Sequence, residues 1–227
     1  MRIAEIYPSL QGEGFLTGTP SVFVRASGCN LRCRYCDTPF SSWNPVGEDM
    51  SVGEIFDAVI ALEHRYVVLT GGEPMLFSEM VPLCNMLHEA GKHITIETAG
   101  TLSLPLECDL MSVSPKLSNS TPADASDRWI SRHERTRHMP EVIRYLVTRY
   151  PYQMKFVVGD PSDGDEVMEY LAEFPEIDRE RVMLMPEGFT MGRLLCVERW
   201  LKPFCTKHEL MFCPRRQIEW YGSMRGT

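Results

Sequence analysis

Residues 28–38 read G-C-N-L-R-C-R-Y-C-D-T, and the interpretation of the whole chain depends on them. Cys29, Cys33 and Cys36 have the spacing C-x3-C-x2-C, so one short loop can turn all three sulfurs toward one metal centre. A structural zinc site normally has four protein ligands, and no fourth Cys or His lies nearby. Thiolates also bind iron–sulfur clusters. The spacing therefore fits a four-iron cluster with three cysteine ligands and one iron left open to a small molecule.

Length and composition limit the classes of protein to which this loop can belong. A chain of 227 residues with 44% hydrophobic side chains can form one α/β domain with a sizeable core. The net charge of −8 gives no electrostatic reason to expect binding to nucleic acid or to an anionic membrane, so a small substrate is expected. No apolar run reaches about 18 residues and Met1 leads directly into a strand-like segment, which predicts a cytoplasmic protein with no membrane partner.

Five further cysteines lie outside the loop. In a reducing cytosol they are expected to act as small core hydrophobes. The sequence places them at Cys84, Cys108, Cys196, Cys205 and Cys213. Cys205 and Cys213 are an alternative metal pair, but no partner motif accompanies them, and the inert interpretation is preferred.

Strand-like and helix-like segments alternate along the chain, which predicts a parallel sheet with right-handed crossovers. Strands are predicted at 3–10, 21–26, 66–69, 93–96, 109–113, 154–158, 181–185 and 209–212. Helices are predicted from Ser51 onward, with Ser51 and Glu54 at capping-box spacing, and at 77–90, 140–150, 163–174 and 190–208. The polar segment 118–139 is predicted to be a long excursion of the chain over the surface, in which His133 and His138 are solvated. Residues 214–227 are too polar and aromatic to be only a frayed tail.

Unusual residues follow directly after the predicted strands. The motifs are Q-G-E at 11–13, the cysteine loop, T-G-G-E-P at 70–74, E-T at 97–98 and S-P-K at 114–116. In parallel α/β sheets and barrels, ligands collect at the carboxyl ends of strands. The sequence therefore predicts that all five motifs converge on one rim.

The cysteine spacing with Tyr35 before Cys36, followed by G-G-E-P, resembles the radical S-adenosylmethionine enzymes. The resemblance implies that the amino and carboxylate groups of S-adenosylmethionine bind the open iron. It also implies that an electron from the cluster generates a 5′-deoxyadenosyl radical, which abstracts hydrogen from the substrate. Backbone groups of Gly71 and Gly72 would approach the methionine amine, since glycine has no side chain in the way.

Within that superfamily the resemblance is to 7-carboxy-7-deazaguanine synthases. It is carried by L-Q-G-E-G at 10–14, V-R at 24–25, C-D-T at 36–38, T-G-G-E-P at 70–74, I-E-T at 96–98 and V-S-P-K at 113–116. It implies ring contraction of 6-carboxy-5,6,7,8-tetrahydropterin to 7-carboxy-7-deazaguanine with loss of ammonia, for queuosine and other deazapurines. It also implies a single domain over 1–227 folded as an incomplete (β/α) barrel, a homodimer, and an electron donor such as flavodoxin or ferredoxin.

The resemblance assigns roles to individual positions. It implies that the pterin is bound by Leu10, Gln11, Gly12, Glu13, Arg25 and Thr70, with Arg25 at its carboxylate. It implies that S-adenosylmethionine is bound by Tyr35, Cys36, Asp37, Gly71, Gly72, Glu73, Glu97, Ser114, Pro115 and Lys116. It assigns the cluster to Cys29, Cys33 and Cys36, and Mg²⁺ to Thr38, completed by substrate oxygens and water. From spacing alone, Thr38 would be interpreted as a turn or cap residue.

The carboxyl-terminal part departs from the family pattern. Gln217 stands where a His often reaches the substrate, and it cannot carry a proton charge near neutral pH. Met185-Pro186 stands in place of Gln-Pro, and Glu187 is a candidate replacement in the pocket. The tail at about 214–227 is expected to close the site, with the terminal carboxylate of Thr227 within reach of it.

Two other classes of function compete with the synthase. A glycyl-radical-enzyme activase shares the cysteine spacing and G-G-E-P but acts on a protein, and L-Q-G-E-G and V-S-P-K argue against it. A non-catalytic zinc-binding module is disfavoured because three ligands leave the zinc site unclosed.

Overall fold

The computed structural model describes residues 1–222 and 224–226, and within them one sheet runs through the whole fold. The strands of this sheet are β1 (Arg2–Leu10), β2 (Pro20–Ala26), β3 (Glu48–Asp49), β4 (Tyr66–Gly71), β5 (His93–Thr98), β6 (Leu110–Val113), β7 (Tyr152–Val158), β8 (Val182–Pro186) and β9 (Met211–Phe212). The helices are α1 (Val52–Ala61), α2 (Met80–Glu89), α3 (Asp127–Thr136), α4 (Pro140–Arg149), α5 (Pro161–Glu173), α6 (Met191–His208) and α7 (Arg216–Tyr221).

The sheet has the order β3-β1-β2-β4-β5-β6-β7-β8-β9 and is parallel from β2 to β9. β1 instead forms an antiparallel hairpin with β2, pairing Ile6 with Val24, and β3 adds antiparallel to β1. The two edge strands, β3 and β9, do not pair with each other in the described residues, so the sheet stays open. The incomplete (β/α) barrel predicted from the sequence is confirmed.

Alternation of strands and amphipathic helices produces the core, because helices such as α2, α5 and α6 bury one face against the sheet. Val22, Val67, Ile94 and Phe156, from the parallel strands β2, β4, β5 and β7, are each 0% exposed. The predicted capping box begins α1: Ser51 Oγ accepts from the Glu54 amide at 3.2 Å, and Glu54 Oε2 accepts from the Ser51 amide at 2.8 Å. This exchange satisfies two amides that the first helical turn leaves unpaired.

The loop between β1 and β2 crosses the open side of the sheet and reaches its far end. The Phe15 amide donates to Gln153 Oε1 on β7 at 2.8 Å, and the Gly14 amide donates to Cys213 Sγ at 3.2 Å. The Arg216 amide, at the start of α7, donates to the Gly12 carbonyl at 3.0 Å. Hydrogen bonds to a loop thus replace the strand pairing that would close a complete barrel.

The predicted strands and most helices occur within a few residues of their expected bounds, but the segment 118–139 was predicted incorrectly. It contains α3, and His133 on this helix is buried instead of solvated. His133 Nδ1 accepts from the Arg32 amide at 3.2 Å, and Nε2 lies 2.8 Å from Ser120 Oγ. The sequence of α3 is polar because hydrogen bonds, and not apolar contacts, attach this helix to the cysteine loop. It therefore lacks the apolar pattern that predicts a packed helix.

Two smaller differences have local causes. The strand predicted at 209–212 is shortened to Met211–Phe212 because Glu209 adopts a left-handed conformation, with φ of 56°, at the end of α6. The predicted tail contains the short helix α7. None of the helices in residues 1–222 and 224–226 is both long and apolar enough to cross a membrane.

Candidate active site

Two cavities with volumes of about 260 and 170 Å³ lie side by side at the carboxyl ends of the parallel strands. The larger one, here the outer cavity, lies next to the β1–β2 loop and α7, and the smaller one, the thiol cavity, lies next to the cysteine loop. Their shared wall consists of Glu13, Asp37, Thr38, Thr70, Gly71, Glu97 and Arg215. The predicted convergence of strand-end motifs on one rim therefore produces two adjoining binding spaces.

All three cysteines of the loop line the thiol cavity. Burial raises the pKa of Cys29 to about 12, and burial likewise raises the pKa of Cys33 to about 12. Both thiols are therefore protonated at neutral pH before metal binds, and binding must release their protons. Cys36 Sγ lies 3.0 Å from Ser42 Oγ, a weak hydrogen bond that orients the third sulfur.

Hydrogen bonds from several directions fix the backbone of the cysteine loop. The Gly28 amide donates to the Ser41 carbonyl at 2.8 Å, and Trp43 Nε1 donates to the Cys33 carbonyl at 3.1 Å. Arg32 Nη1 donates to the Cys29 carbonyl at 2.9 Å. A loop with its carbonyls so engaged presents its sulfurs in a defined arrangement, as a preorganised ligand set requires.

The T-G-G-E-P motif shows why two glycines stand at the end of β4. Gly71 has a φ of 145°, and a Cβ there would collide with the Ala26 carbonyl, while a Cβ on Gly72 would collide with the Gly28 carbonyl. Both glycines line the thiol cavity, but their first requirement is close packing of β4 against the end of β2 and the cysteine loop.

Glu73 and Pro115, which were predicted to bind the cofactor, line neither cavity in the described structure. The Glu73 carboxylate is 0% exposed and accepts hydrogen bonds from Thr98 Oγ1 at 2.8 Å, the Ala99 amide at 2.9 Å and the Met75 amide at 3.0 Å. Burial raises the pKa of Glu73, although these donors oppose the shift. Glu73 therefore joins the ends of β4 and β5 and acts on the cavity only through them.

The remaining wall of the thiol cavity carries polar groups suited to an amino-acid ligand. Lys116 Nζ donates to the carbonyl and the hydroxyl of Ser114, at 2.6 and 2.7 Å. The Tyr35 hydroxyl is buried, lacks a hydrogen-bond partner among the described residues, and has its pKa raised by burial. An unpartnered buried hydroxyl that lines a cavity is available to a ligand.

These donors fit a four-iron cluster with S-adenosylmethionine beside it. Apart from the three loop thiols, the described lining of the thiol cavity includes no Cys or His. Nor do any three His, Cys, Asp or Glu side chains in residues 1–222 and 224–226 converge to hold a single metal ion. Three soft ligands around a cavity whose lining also includes Ser114, Lys116 and the unpartnered Tyr35 hydroxyl match a cluster with one open iron better than a closed zinc site.

Lys155, on β7, lines the thiol cavity and pairs with two carboxylates of the shared wall. Its side chain is 4% exposed, and Nζ lies 2.9 Å from Glu13 Oε2 and 3.5 Å from Glu97 Oε1. Burial alone would lower the pKa of Lys155, but the two carboxylates outweigh burial and raise it. Gln11 Nε2 and Thr70 Oγ1 also donate to Glu97, at 3.2 and 3.0 Å. One ammonium thus holds a carboxylate from the β1–β2 loop and one from the end of β5.

Arg215 completes the ion network from the carboxyl-terminal side. It lies 2.6 Å from Asp37 Oδ2 and 3.5 Å from Glu13 Oε1, and Gln217 Nε2 donates to the same Glu13 oxygen at 2.5 Å. Burial alone would raise the pKa of Glu13, but Lys155 and Arg215 outweigh burial and lower it to about 2. Glu13 is consequently an ionised, oriented acceptor at neutral pH.

Arg25 lines the outer cavity, and protein groups already engage it. Its Nε lies 2.7 Å from Glu5 Oε1, and its Nη2 donates to the Tyr7 hydroxyl at 2.9 Å. Burial alone would lower the pKa of Arg25, but Tyr7 and Glu5 outweigh burial and raise it. Its Nη1 group has no hydrogen-bond partner in the described part of the chain, so the guanidinium can bind an anion without leaving Glu5.

Thr38 lines both cavities and precedes the short 3₁₀ turn Pro39–Ser41. Its carbonyl accepts from the Ser41 amide at 2.9 Å, and its hydroxyl lies 4.0 Å from Cys36 Sγ. The neighbouring Asp37 carboxylate is paired with Arg215. Thr38 therefore offers one oxygen at the boundary between the cavities, which fits Mg²⁺ only with ligands from outside the chain.

Most of the predicted site residues lie in the lining of one cavity or of both. All six predicted pterin residues line the outer cavity, and the three cysteines, Tyr35, Gly72, Ser114 and Lys116 line the thiol cavity. Met185 and Glu187 also line the thiol cavity, with Glu187 paired to Arg193 at 3.0 Å. Thr227, which was expected to reach the site, lies outside the described residues.

Sequence reasoning missed Lys155 and Arg215. A lysine within the otherwise apolar M-K-F-V-V of β7 was the available signal for Lys155, because a strand buried on both faces does not otherwise contain a charge. Arg215 gave no such signal, since arginine is common in a polar tail and its partners Glu13 and Asp37 are distant in sequence.

Comparisons with known proteins place the chain in a family. A family model described as "Radical SAM superfamily" matches residues 23–115. The chain is 42% identical to a 7-carboxy-7-deazaguanine synthase of Rhodopirellula baltica, over 99% of this chain and 88% of the relative. It is 44% identical to a protein of the same name from Halobacterium salinarum, over 95% of this chain and 88% of the relative.

Among solved structures, the fold is similar to that of QueE from Escherichia coli, with a TM-score of 0.70 at 23% identity, covering 95% of this chain and 93% of that one. It also resembles Streptococcus suis SuiB bound to S-adenosylmethionine, with a TM-score of 0.57 at 14% identity, covering 89% of this chain and 52% of that one. At these identities the two structures support the fold.

Proposed function

The chain belongs to the 7-carboxy-7-deazaguanine synthase family of radical S-adenosylmethionine enzymes, and we propose that it converts 6-carboxy-5,6,7,8-tetrahydropterin to 7-carboxy-7-deazaguanine with release of ammonia. The product would feed deazapurine synthesis, including queuosine for tRNA. The observation that carries this proposal is the shared wall between a cavity lined by three thiols and a cavity lined by an arginine and several carboxylates.

In the thiol cavity, Cys29, Cys33 and Cys36 would hold the four-iron cluster, and Lys116, Ser114, Tyr35 and the backbone of Gly72 would hold S-adenosylmethionine. When bound, this pair of cofactors supplies the radical chemistry. The chain itself keeps the ligands in place and limits access of water, because the cysteine loop, the end of β4 and the residues after β6 line the space.

In the outer cavity, Arg25 would bind the pterin carboxylate through the Nη1 donor that its partners leave available. Glu13 and Glu97 would accept hydrogen bonds from ring N–H groups, because Lys155 holds both carboxylates in the shared wall. Leu10, Gln11, Gly12 and Thr70 line the same space and complete the substrate contacts. The reacting carbon would then face the thiol cavity across the shared wall, which is the proximity that radical transfer requires.

Magnesium is part of the same proposal. The Thr38 hydroxyl would be its protein ligand, with substrate oxygens and water filling the other positions, because Mg²⁺ prefers six oxygens and keeps several waters. The position of Thr38 in both cavity linings supports this role, since a metal there would lie between the substrate and the cluster loop.

The remaining parts of the proposal concern assembly and supply. We expect one catalytic domain whose tail covers the outer cavity, and Gly222, Met224, Arg225 and Gly226 line that cavity. A cytoplasmic homodimer is expected from the resemblance and can be checked by light scattering. An electron-carrier protein such as flavodoxin or ferredoxin would reduce the cluster.

Anaerobic turnover tests the function. The reconstituted protein is incubated with S-adenosylmethionine, Mg²⁺, dithionite and 6-carboxytetrahydropterin, and the products are analysed by mass. We expect 7-carboxy-7-deazaguanine to form without any protein partner. Formation of 5′-deoxyadenosine with no deazaguanine, unless a second protein is added, would favour an activase instead. A colourless protein that holds one zinc per chain would favour the zinc module.

A further inference from the structure

Helix α3 presents a row of arginines to solvent. Arg128, Arg132 and Arg135, here the arginine face, have the spacing i, i+4 and i+7, which puts them on one side of the helix. All three are exposed. No salt-bridge partner is found for their guanidinium groups within the described residues, although Arg137 on the same segment is paired with Glu134 at 2.9 Å.

The opposite side of α3 rests on the cysteine loop. Buried His133 accepts from the Arg32 amide at 3.2 Å, and the Trp129 ring contacts two guanidinium groups, 4.0 Å from that of Arg32 and 5.1 Å from that of Arg132. Arg32 then donates to the Cys29 carbonyl at 2.9 Å. A short series of contacts therefore joins the arginine face to the backbone that carries the first thiol.

The charge on this surface is opposite in sign to that of the whole molecule. Residues 127–137 contain four arginines and two carboxylates, in a chain whose net charge is −8. Arg34, within the cysteine loop, is also exposed. A positive patch on an acidic protein attracts an acidic partner, whereas the rest of the acidic surface repels it. Together these forces favour one orientation of approach.

We propose that the arginine face is the docking surface for an acidic one-electron carrier protein. The inference rests on the proposed function, because only a chain that holds a reducible cluster at the cysteine loop needs such a partner. In the docked complex one electron leaves the reduced carrier and enters the cluster; the carrier is oxidised by one electron, the cluster is reduced by one, and no proton or group is transferred. Docking on α3 leaves only this helix between the carrier and the cysteine loop, and proximity favours electron transfer because its rate falls steeply with distance.

The test compares a protein donor with a chemical one. In Arg128→Glu/Arg132→Glu/Arg135→Glu, we expect reductive cleavage of S-adenosylmethionine driven by reduced flavodoxin to fall at least about tenfold in kcat/KM, because steered association loses its attraction. Cleavage driven by dithionite should stay within about twofold of the unaltered protein, because an ionic reductant of this size does not need the docking surface.

A matched control carries the same change of charge away from the cysteine loop. Arg149→Glu/Arg179→Glu/Arg199→Glu reverses three exposed arginines on other elements, and its flavodoxin-driven rate should stay within about twofold of the unaltered protein. If both triple variants lose rate equally, net charge and not the arginine face attracts the carrier, and the proposal is wrong.

Binding supplies a readout that does not depend on turnover. By calorimetry, oxidised flavodoxin should bind the holoenzyme about tenfold more weakly in the arginine-face variant than in the control variant. Binding to the unaltered protein should also weaken steeply between about 50 and 300 mM salt, as expected for association between opposite charges. Because Arg132 contacts Trp129, the double variant Arg128→Glu/Arg135→Glu separates lost docking from a disturbed helix, and it should show the same direction of change.

The outcomes separate this inference from the proposed function. If the unaltered protein does not cleave S-adenosylmethionine with dithionite, the proposed function fails and the inference fails with it. If dithionite supports cleavage but the arginine-face variants bind and use flavodoxin normally, only the docking surface is refuted. Binding of a short RNA that these variants lose, with flavodoxin-driven rates unchanged, would assign the face to nucleic acid and overturn the proposal.

Discussion

Lys155→Met removes the cation that holds together the wall between the two cavities. In the structure Lys155 Nζ lies 2.9 Å from Glu13 Oε2 and 3.5 Å from Glu97 Oε1, with a side chain that is 4% exposed. Removing one partner from a buried pair usually costs about 3–5 kcal/mol, because the other charge remains buried. Arg215 and Gln217 still contact Glu13, so we expect the lower end, a loss of about 3 kcal/mol in the free energy of unfolding.

The dependence of this loss on pH follows from the pKa of Glu13. Its folded pKa of about 2 is below the unfolded value of 4.5, so its ionised form stabilises the folded protein above pH 4.5, and the effect disappears as pH falls toward 2. A shift of that size corresponds to roughly 3 kcal/mol at pH 7 and roughly 2 kcal/mol at pH 3.5. In Lys155→Met the pKa of Glu13 rises toward 4.5, so the difference between the two proteins should narrow by about 1 kcal/mol at pH 3.5.

Anaerobic urea unfolding at pH 7 and pH 3.5 measures both effects, and Lys207→Met, at an exposed position on α6, is the control for loss of a lysine. We expect the control to change the free energy of unfolding by less than about 0.5 kcal/mol. A loss below about 1 kcal/mol for Lys155→Met, or a loss that does not change with pH, would refute the assignment of Lys155 as the charge partner of Glu13.

Other substitutions test the two cavities separately. Cys33→Ala should abolish both cluster assembly, measured as iron content, and formation of 5′-deoxyadenosine, whereas Cys196→Ala, at an exposed position, should retain both; a full cluster in Cys33→Ala would contradict the assignment. Thr38→Ala should lose the response of turnover to added Mg²⁺, since its hydroxyl is the proposed protein ligand, and an unchanged response would remove Thr38 from the metal site. Arg25→Ala should weaken pterin binding by about 2–4 kcal/mol, measured as Kd, whereas Arg149→Ala should leave the Kd unchanged. If Arg25→Ala binds the pterin as tightly as the unaltered protein, Arg25 binds only Glu5 and Tyr7 and does not bind the substrate.

The sequence predicted the parallel strands and their terminal motifs well because both signals are local. A buried strand is a short apolar run, and a glycine, thiol or carboxylate immediately after it is visible in the same few residues. In a parallel sheet the ends of such strands share one edge, so the rim followed from the order of the elements. The assignment of ligands to the motifs came from the family resemblance, because spacing alone identifies only the thiols.

The parts that were missed depend on contacts between residues distant in sequence. Helix α3 has a polar sequence, and only its hydrogen bonds with Arg32 and Ser120 show that His133 is buried. Lys155 pairs with Glu13, 142 positions away, and no local pattern signals such a pair. The family resemblance assigned Glu73 to cofactor binding because it belongs to the T-G-G-E-P motif. In the structure its carboxylate accepts hydrogen bonds from Thr98 and from the Ala99 amide.

Deuterium labelling of the pterin tests whether hydrogen is transferred between the two cavities. The reconstituted protein is given S-adenosylmethionine, Mg²⁺, reductant and 6-carboxytetrahydropterin deuterated at its carbon-bound positions, and the 5′-deoxyadenosine formed is analysed by mass. If the cofactor and the pterin bind on opposite sides of the shared wall, 5′-deoxyadenosine should contain deuterium and should form faster with the pterin than without it. Formation of unlabelled 5′-deoxyadenosine, at a rate that does not depend on the pterin, would show that hydrogen does not pass from the outer cavity to the thiol cavity.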